Sequence, residues 1–401
     1  MNILRRLPTS RLLLLSALIV AVAAGGTAIA IAASGGGAAP APKALGDAIH
    51  DALAAPPVEG VTGRIQFSNH LIAPANLDGA GDPLLSGASG RLWLSRDGHV
   101  RLELQSSAGD VQVLSDSKTF SVYDASANTV YRGDLPQDAK DPQPGAAGAP
   151  ADAHQVPTVA KIQDALTRLM QKADVSGATP TNVAGQPAYS VRISPKADGG
   201  LLGGGELAFD AARGVPLRAA VYAKGNPTPV LELTATDISY GPVPASDFAV
   251  VPPPGAKVVQ IAQHGGADKS RPGKPVTDPA EVQKAVGFQL ADPATLAGLP
   301  LTEVRLLDWQ GSPAALVSYG KGLGGVVVIE RKPKQDKPGP SADGQNGRSS
   351  LSLPKISIGG ASGSELTTAL GTAVMFDRGG VSYTVLGSVP AATAEAAARG
   401  L

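Results

Sequence analysis

The stretch GRLWLSRDGHVRLELQ, residues 90–105, constrains the fold more than any other part of the chain. Apolar and polar residues alternate on both sides of Asp97-Gly98, the grammar of a β-hairpin. Two registers compete. A two-residue loop would set Leu94 against Arg101 and Leu92 against Glu103, mixing apolar and charged groups on each face. A three-residue loop, Arg96-Asp97-Gly98 with Gly98 left-handed, pairs Leu94 with Val100 and Leu92 with Leu102. It also sets Trp93 beside Arg101 and Arg91 beside Glu103, a cation–π pair and an ion pair. A buried face fixes the register, so the second arrangement is expected.

Similar strands recur along the chain at 61–70, 110–115, 119–123 and 129–132, then at 188–193, 206–210, 217–223 and 230–239. Only two helical patterns interrupt them. Residues 45–53 carry a short apolar face, and residues 159–170 place Val159, Ile162, Leu166, Leu169 and Met170 on one side. The expected fold is therefore α+β. Its larger part is a strongly curved antiparallel β-sheet, a half-barrel covered by helices, and a smaller C-terminal α+β unit with its own antiparallel sheet follows. The boundaries read as 1–34 for a targeting segment, 35–43 for a flexible tether, 44–259 for the half-barrel, 260–276 for a linker and 277–401 for the second unit. Within the last, the polar, Pro/Gly-rich loop 332–350 is expected to be disordered. Asp278-Pro279-Ala280-Glu281 opens a helix there as a capping box with proline in its first turn.

The targeting segment is explicit. Arg5, Arg6 and Arg11 precede an uncharged run at 12–33, long enough to cross a bilayer. Read in part, the same run is a signal-peptide core with a cleavage site at Ala28-Ile29-Ala30. Either reading, a transmembrane signal anchor or a cleaved signal, exports the rest of the chain, so its place is the outer side of the cell membrane. Cysteine is absent, which excludes disulfides, thiol chemistry and Cys-ligated zinc. Basic and acidic residues balance at 34 each, so no excess charge points to nucleic acid.

Motifs for chemistry are missing or misplaced. Gly320-Lys321-Gly322-Leu323-Gly324-Gly325 fits G-x-G-x-x-G, yet a strand follows where a phosphate-binding helix is required, so a hairpin loop is expected. His50, His70, His99, His154 and His264 are scattered and none pairs in sequence with a nearby carboxylate. Asp134, Asp138 and Asp141 fall in a polar loop. No catalytic residue, metal site or cofactor is expected. The apolar strand faces remain. Ten strands give more sheet than two short helices cover, and aromatic residues make up only 4% of the chain, so a dry aliphatic cavity is expected. Its candidate lining is Ile65, Phe67, Leu92, Leu94, Val100, Leu102, Leu104, Val111, Val113, Ile162, Leu166, Leus 169 and 207 (Leu169, Leu207) and Phe209, with both helices as a lid.

The hairpin, together with DVQVLSDSKTFSVYDASANTVYRGDLP, resembles the LolA/RseB-like superfamily. The matching positions are Gly90, Leu92, Leu94, Arg96, Gly98 and Arg101, then Asp116, Lys118, Tyr123, Asp124, Asn128 and Tyr131; Ser117 stands where the family more often has glycine. DFAVVPPPGAKVV resembles the end of that domain. The resemblance spans roughly residues 44–259 and implies a half-barrel with helices plugging its concave side. It implies two alternative roles: a carrier holding a lipid or the acyl chain of an acylated protein, or an interaction module regulating a membrane-bound anti-sigma factor.

Overall fold

The alternating runs assemble into one large sheet because each buries one side and leaves its backbone to pair on both edges. The structure, a computed structural model, describes residues 38–72, 83–107, 109–116, 118–135, 157–196, 200–261, 276–309, 311–333 and 353–401. The first sheet uses β1 (Gly60–Asn69), β2 (Ala88–Ser95), β3 (Val100–Ser106), β4 (Gly109–Ser115), β5 (Thr119–Asp124) and β6 (Thr129–Asp134). It continues with β7 (Ala173–Val175), β8 (Thr179–Val183), β9 (Gln186–Pro195), β10 (Leu202–Asp210), β11 (Pro216–Ala223), β12 (Pro229–Tyr240) and β13 (Lys257–Ile261). These thirteen strands follow the order β13-β6-β5-β4-β3-β2-β1-β12-β11-β10-β9-β7, with β8 also paired to β9. Every pairing is antiparallel except one.

The exception corrects the sequence reading. The segment DFAVVPPPGAKVV, expected only to end the domain, runs into β13, which joins β6 in parallel, from Lys257 beside Thr129 to Ile261 beside Gly133. Pairing there satisfies the outer N–H and C=O groups of β6, which would otherwise form an open edge. The opening hairpin has the expected register: Leu94 pairs with Val100 and Leu92 with Leu102. Gly98 takes φ +86°, its N–H donates to Ser95 O, and Arg101 stacks 4.8 Å from the Trp93 ring centroid. The ion pair, however, moves. Glu103 accepts from Arg101, two residues back on its own face, and from Gln112 of β4, rather than from Arg91. Arg101 is already fixed by Trp93 and by the Asp247 carbonyl, which brings its guanidinium within reach of Glu103.

Among the described residues five α-helices accompany the strands: α1 (Leu45–Ala54), α2 (Pro83–Ser86), α3 (Val159–Met170), α4 (Pro279–Val286) and α5 (Ala391–Arg399). The second sheet holds eight strands: β14 (Thr295–Leu296), β15 (Leu299–Trp309), β16 (Ser312–Tyr319), β17 (Val326–Arg331), β18 (Lys355–Ile358), β19 (Ala361–Thr368), β20 (Gly371–Arg378) and β21 (Val381–Gly387). Their order is β14-β15-β16-β17-β21-β20-β19-β18. Asp278 caps α4 by accepting from the Ala280 and Glu281 N–H groups, and Gly287 ends it in the left-handed conformation. The glycine-rich motif at 320–325 is a short 3₁₀ turn between β16 and β17.

Helices α4 and α5 close the second sheet's core. Val282, Val317, Val328, Val374, Val385, Ala394, Ala397 and Ala398 are all fully buried. Alanine makes this possible, since a helix with small residues on one face lies close against strands. The two sheets touch directly: Leu201 N–H donates to the Ser388 carbonyl at 2.9 Å, and Ala369 N–H donates to Leu71 O at 2.8 Å. Gly200 sits at φ +57°, and a Cβ there would lie 2.1 Å from Ser388 O, so glycine is required at this junction. The apolar run at 12–33 and most of the loop at 332–350 lie outside the described residues. Among the described residues no helix is long and apolar enough to cross a membrane.

Candidate functional site

The pairing register places the apolar residues of the large sheet on one face. Phe67 faces Leu233, Leu233 faces Ala219, Ala219 faces Leu207, and Leu207 faces Val191. The neighbouring row runs Asn69, Leu231, Val221, Gly205, Ile193. In the other direction, Ile65 leads through Gly90 to Leu104 and Val111, and Gly63 through Leu92 to Leu102 and Val113. Side chains alternate along a strand, so these rows share the inner face.

One half of that face is filled. α2 sets Leu84 against Ile65, Phe67, Ala88, Leu102, Leu104, Val111, Val113 and Val122, and Leu104 keeps only 1% exposure. Asn69 pins this plug: its side-chain amide donates to Leu84 O at 2.7 Å and its oxygen accepts from Leu71 N–H. Both polar ends of a buried asparagine are thereby satisfied. At the opposite end, α1 lays Ala48 and Ala52 on Tyr189 and Phe209. Gly46 lets α3 approach, since a Cβ there would lie 2.7 Å from Gln163 Oε1.

Between these two covers the face is open among the described residues. Leu233, Leu231, Ala219, Val221 and Val191 are half-buried, while Leu207 is 39% and Ile193 41% exposed. Burial declines across a single row, from buried Phe67 to exposed Leu207, with no change in side-chain chemistry. The result is an aliphatic trough floored by β9, β10, β11 and β12.

The sequence-derived site residues divide accordingly. Ile65, Phe67, Leu102, Leu104, Val111 and Val113 form the packed cluster under α2, with Leu92 at its margin. Leu94 and Val100 are half-buried at the end of the hairpin. Phe209 belongs to the α1 cluster, and Leu207 lies in the open trough. On α3, Ile162 is buried, Leu166 half-buried and Leu169 exposed. The fourteen thus share a face and a helix but do not line one hollow. Val191, Ile193, Leu231 and Leu233 were not in that set, although the alternation in AYSVRIS and VLELTA carries them.

The outer face is polar and internally paired. Arg218 donates to Glu206 at 2.6 Å and to Glu232 at 2.5 Å, and Glu206 also accepts from Ser190 and the Tyr222 hydroxyl. Burial pushes the Glu206 carboxyl up, but the Ser190 and Tyr222 hydrogen bonds and the Arg218 charge outweigh it and hold the group below the usual range. Near the strand ends, burial and the adjacent Asp210 raise the Tyr240 phenol, whose hydroxyl donates to Asp210 at 2.6 Å. Such a face suits solvent, not an apolar guest.

Two clefts accompany the sheet. One of about 320 Å³ is lined largely by polar groups, including Gln66, Ser68, His70 and Gln105. The other, of about 410 Å³, lies between the β9–β10 and β11–β12 hairpins beside Arg192, Lys196 and Lys224. His99, expected to lack a carboxylate, has Asp97 2.9 Å from its Nδ1, because the tight turn folds one back over the other. Both are solvent-exposed turn residues. His50 contacts the Pro157 carbonyl at 3.0 Å, and His154 and His264 lie outside the described residues. No group of residues suited to a metal ion occurs among the described residues.

A long curved sheet with helices on its inner face, followed by a second, smaller sheet, is the class of protein this fold defines. No family model and no curated protein matches the chain. Solved structures do. Crystals of MucB in complex with the periplasmic part of MucA match at 18% identity and TM-score 0.37, covering 88% of this chain and 94% of that one. The Pseudomonas aeruginosa MucA/MucB complex matches at 19% identity and TM-score 0.38, with the same coverage. A putative outer membrane lipoprotein-sorting protein domain from Vibrio parahaemolyticus matches at 12% identity and TM-score 0.20, covering 47% of this chain and 89% of that one.

Proposed function

We propose that this chain is an extracytoplasmic, non-catalytic binding protein that holds a lipid or lipoprotein acyl chain in the open half of its inner face, and that residues 12–33 attach or export it at the cell membrane. The observation that carries this reading is the row from Phe67 to Val191. Its chemistry is uniformly apolar, yet its cover stops halfway, at Leu233. Exposed contiguous apolar surface is disfavoured in water and marks a binding site. A flexible hydrocarbon fits an aliphatic floor with few aromatic or polar groups to impose orientation. Burying a 16-carbon chain at about 0.8 kcal/mol per methylene contributes on the order of 10 kcal/mol before ordering costs. That is enough for firm yet reversible capture.

Native mass spectrometry with lipid extraction of the protein from its own kind of host tests the reading. The expected result is a bound lipid or acyl mass that Leu207→Asp strips off. Only empty protein from that host would overturn it. The regulatory alternative uses the same trough for a protein segment, and recovery of a membrane-bound regulator in a pull-down, in place of lipid, would favour it.

A further inference from the structure

Helix α3 is strongly amphipathic; its first turns pack on α1, and its last turn is exposed. Val159, Ile162, Leu166, Leu169 and Met170 form one stripe at helical spacing, but among them only Ile162 is buried. Leu169 is 39% and Met170 46% exposed, although both are large and apolar. The 3.6-residue repeat sets Lys161 and Arg168 together on the face opposite the stripe, and Lys172 follows the helix. Over residues 159–172 the acidic residue opposing these three cations is Asp164. The free end of the stripe adjoins the trough, since Ala173 pairs with Pro195 and Val175 with Ile193, and Lys196 Nζ donates to the Met170 carbonyl.

The N-terminal chain is tied to the same end of the molecule. Tyr189 hydroxyl donates to Ala41 O at 2.7 Å, and Lys43 bridges to Ala178. α1 starts at Leu45, and His50 on it meets Pro157 at the entry to α3. Only residues 34–40 therefore separate the uncharged run 12–33 from the first fixed backbone group, a contour of at most about 25 Å. A bilayer holding that run lies within this reach of α1, on which α3 packs.

We propose that the C-terminal half of α3 is a membrane-docking face: it lies in the interface of an anionic bilayer, with Leu169 and Met170 toward the acyl region and Arg168 and Lys172 reaching the headgroups. The inference rests on the proposed membrane attachment and names the surface that attachment presents. The pattern is that of an interfacial helix, apolar on one side with cations on the polar side and low overall hydropathy. It places the mouth of the trough, at Ile193, next to the source of an acyl guest.

Because the chain has no cysteine, Met170→Cys takes a single environment-sensitive fluorophore, with exposed Ser357→Cys of β18 as control. The full chain is reconstituted in vesicles of brominated phosphatidylcholine, with or without phosphatidylglycerol. The expected result is that the protein floats with both vesicles, that the label at 170 is quenched about two-fold or more by bromine when phosphatidylglycerol is present, and that the label at 357 is unaffected. Arg168→Glu with Lys172→Glu reduces that quenching. A floating protein whose label at 170 is as open to aqueous iodide as that at 357 overturns the docking and leaves the attachment standing. A blue shift without bromine quenching assigns the stripe to a protein partner or a second copy and overturns it as well. A chain that fails to float overturns both attachment and docking.

Discussion

The two sheets are written in the same alternating grammar, yet one finishes its interior and the other does not. In the second, α4 and the alanine face of α5 cover the central strands, and valines at 317, 328, 374 and 385 lose all contact with solvent. In the first, thirteen strands share three short helices, and cover runs out between Leu233 and Ile193. Apolar chemistry is the same in both. What differs is the ratio of sheet area to helix area, and that ratio decides whether a side chain serves as core or as a binding floor.

The largest effect that would sharpen this contrast is expected in the closed sheet. Phe376, buried and stacked 5.0 Å from the Tyr383 ring, should lose about 3–5 kcal/mol on Phe376→Ala. The two tryptophans help, because Trp93 reports on the first sheet and Trp309 on the second. In a Trp93→Phe background, the denaturant midpoint read from Trp309 should fall sharply, and an unchanged midpoint would break the contrast.

A somewhat smaller effect is expected from Glu330, which is fully buried on β17 and accepts from Ala291 N–H at 3.0 Å. Burial pushes its carboxyl up to about 7, against the opposing Ala291 hydrogen bond, with Asp292 adding a raising push. The folded protein therefore holds this proton more tightly than the unfolded chain. The associated stability is complete below the ordinary carboxyl range near 4.5 and is lost as pH rises through about 7, to the extent of about 3 kcal/mol. Glu330→Gln should flatten the Trp309-detected stability between pH 5 and pH 8 and stabilise the second sheet at pH 8. A variant with the parent's pH profile would refute the assignment.

At the junction, Gly200→Ala should cost about 1–3 kcal/mol of docking, because the new Cβ collides with Ser388 O. Hydrogen exchange at Leu201 and Ala369 reads it directly, and unchanged protection would contradict the geometry. The smallest effect belongs to the trough. Leu207→Ala should shift stability by less than about 0.5 kcal/mol, against about 2–5 for Leu104→Ala under α2. Equal losses from the two, read from Trp93 in a Trp309→Phe background, would mean that the open half is core after all.

Hairpin pairing and strand faces were legible because they are local. Alternation with Asp97-Gly98 gave the hairpin register, and Asp278 with Pro279 gave the start of α4. The common face of Ile65, Leu92, Leu104 and Leu207 also followed from period two. Coverage did not, because whether Leu207 meets a helix or water depends on where α1 and α2 settle, far away in sequence. The parallel return of β13 was equally hidden: KVVQI is short, and nothing in it names β6 as partner. Short β7 and β8 escaped for the same reason, and the Arg101–Glu103 pair displaced Arg91 through a constraint from the distant Asp247 carbonyl.

The placement of β13 has a mechanical corollary. The chain leaves the large sheet from one rim, beside β6, while the β9–β10 tip that grips Ser388 belongs to the other flank. The second sheet thus meets the large one at that flank and again at its middle, where Leu71, just past β1, accepts from Ala369. Any change in the arc's bend, as when a guest enters the trough, must carry the second sheet along with both anchors or slip the Leu201–Ser388 knot.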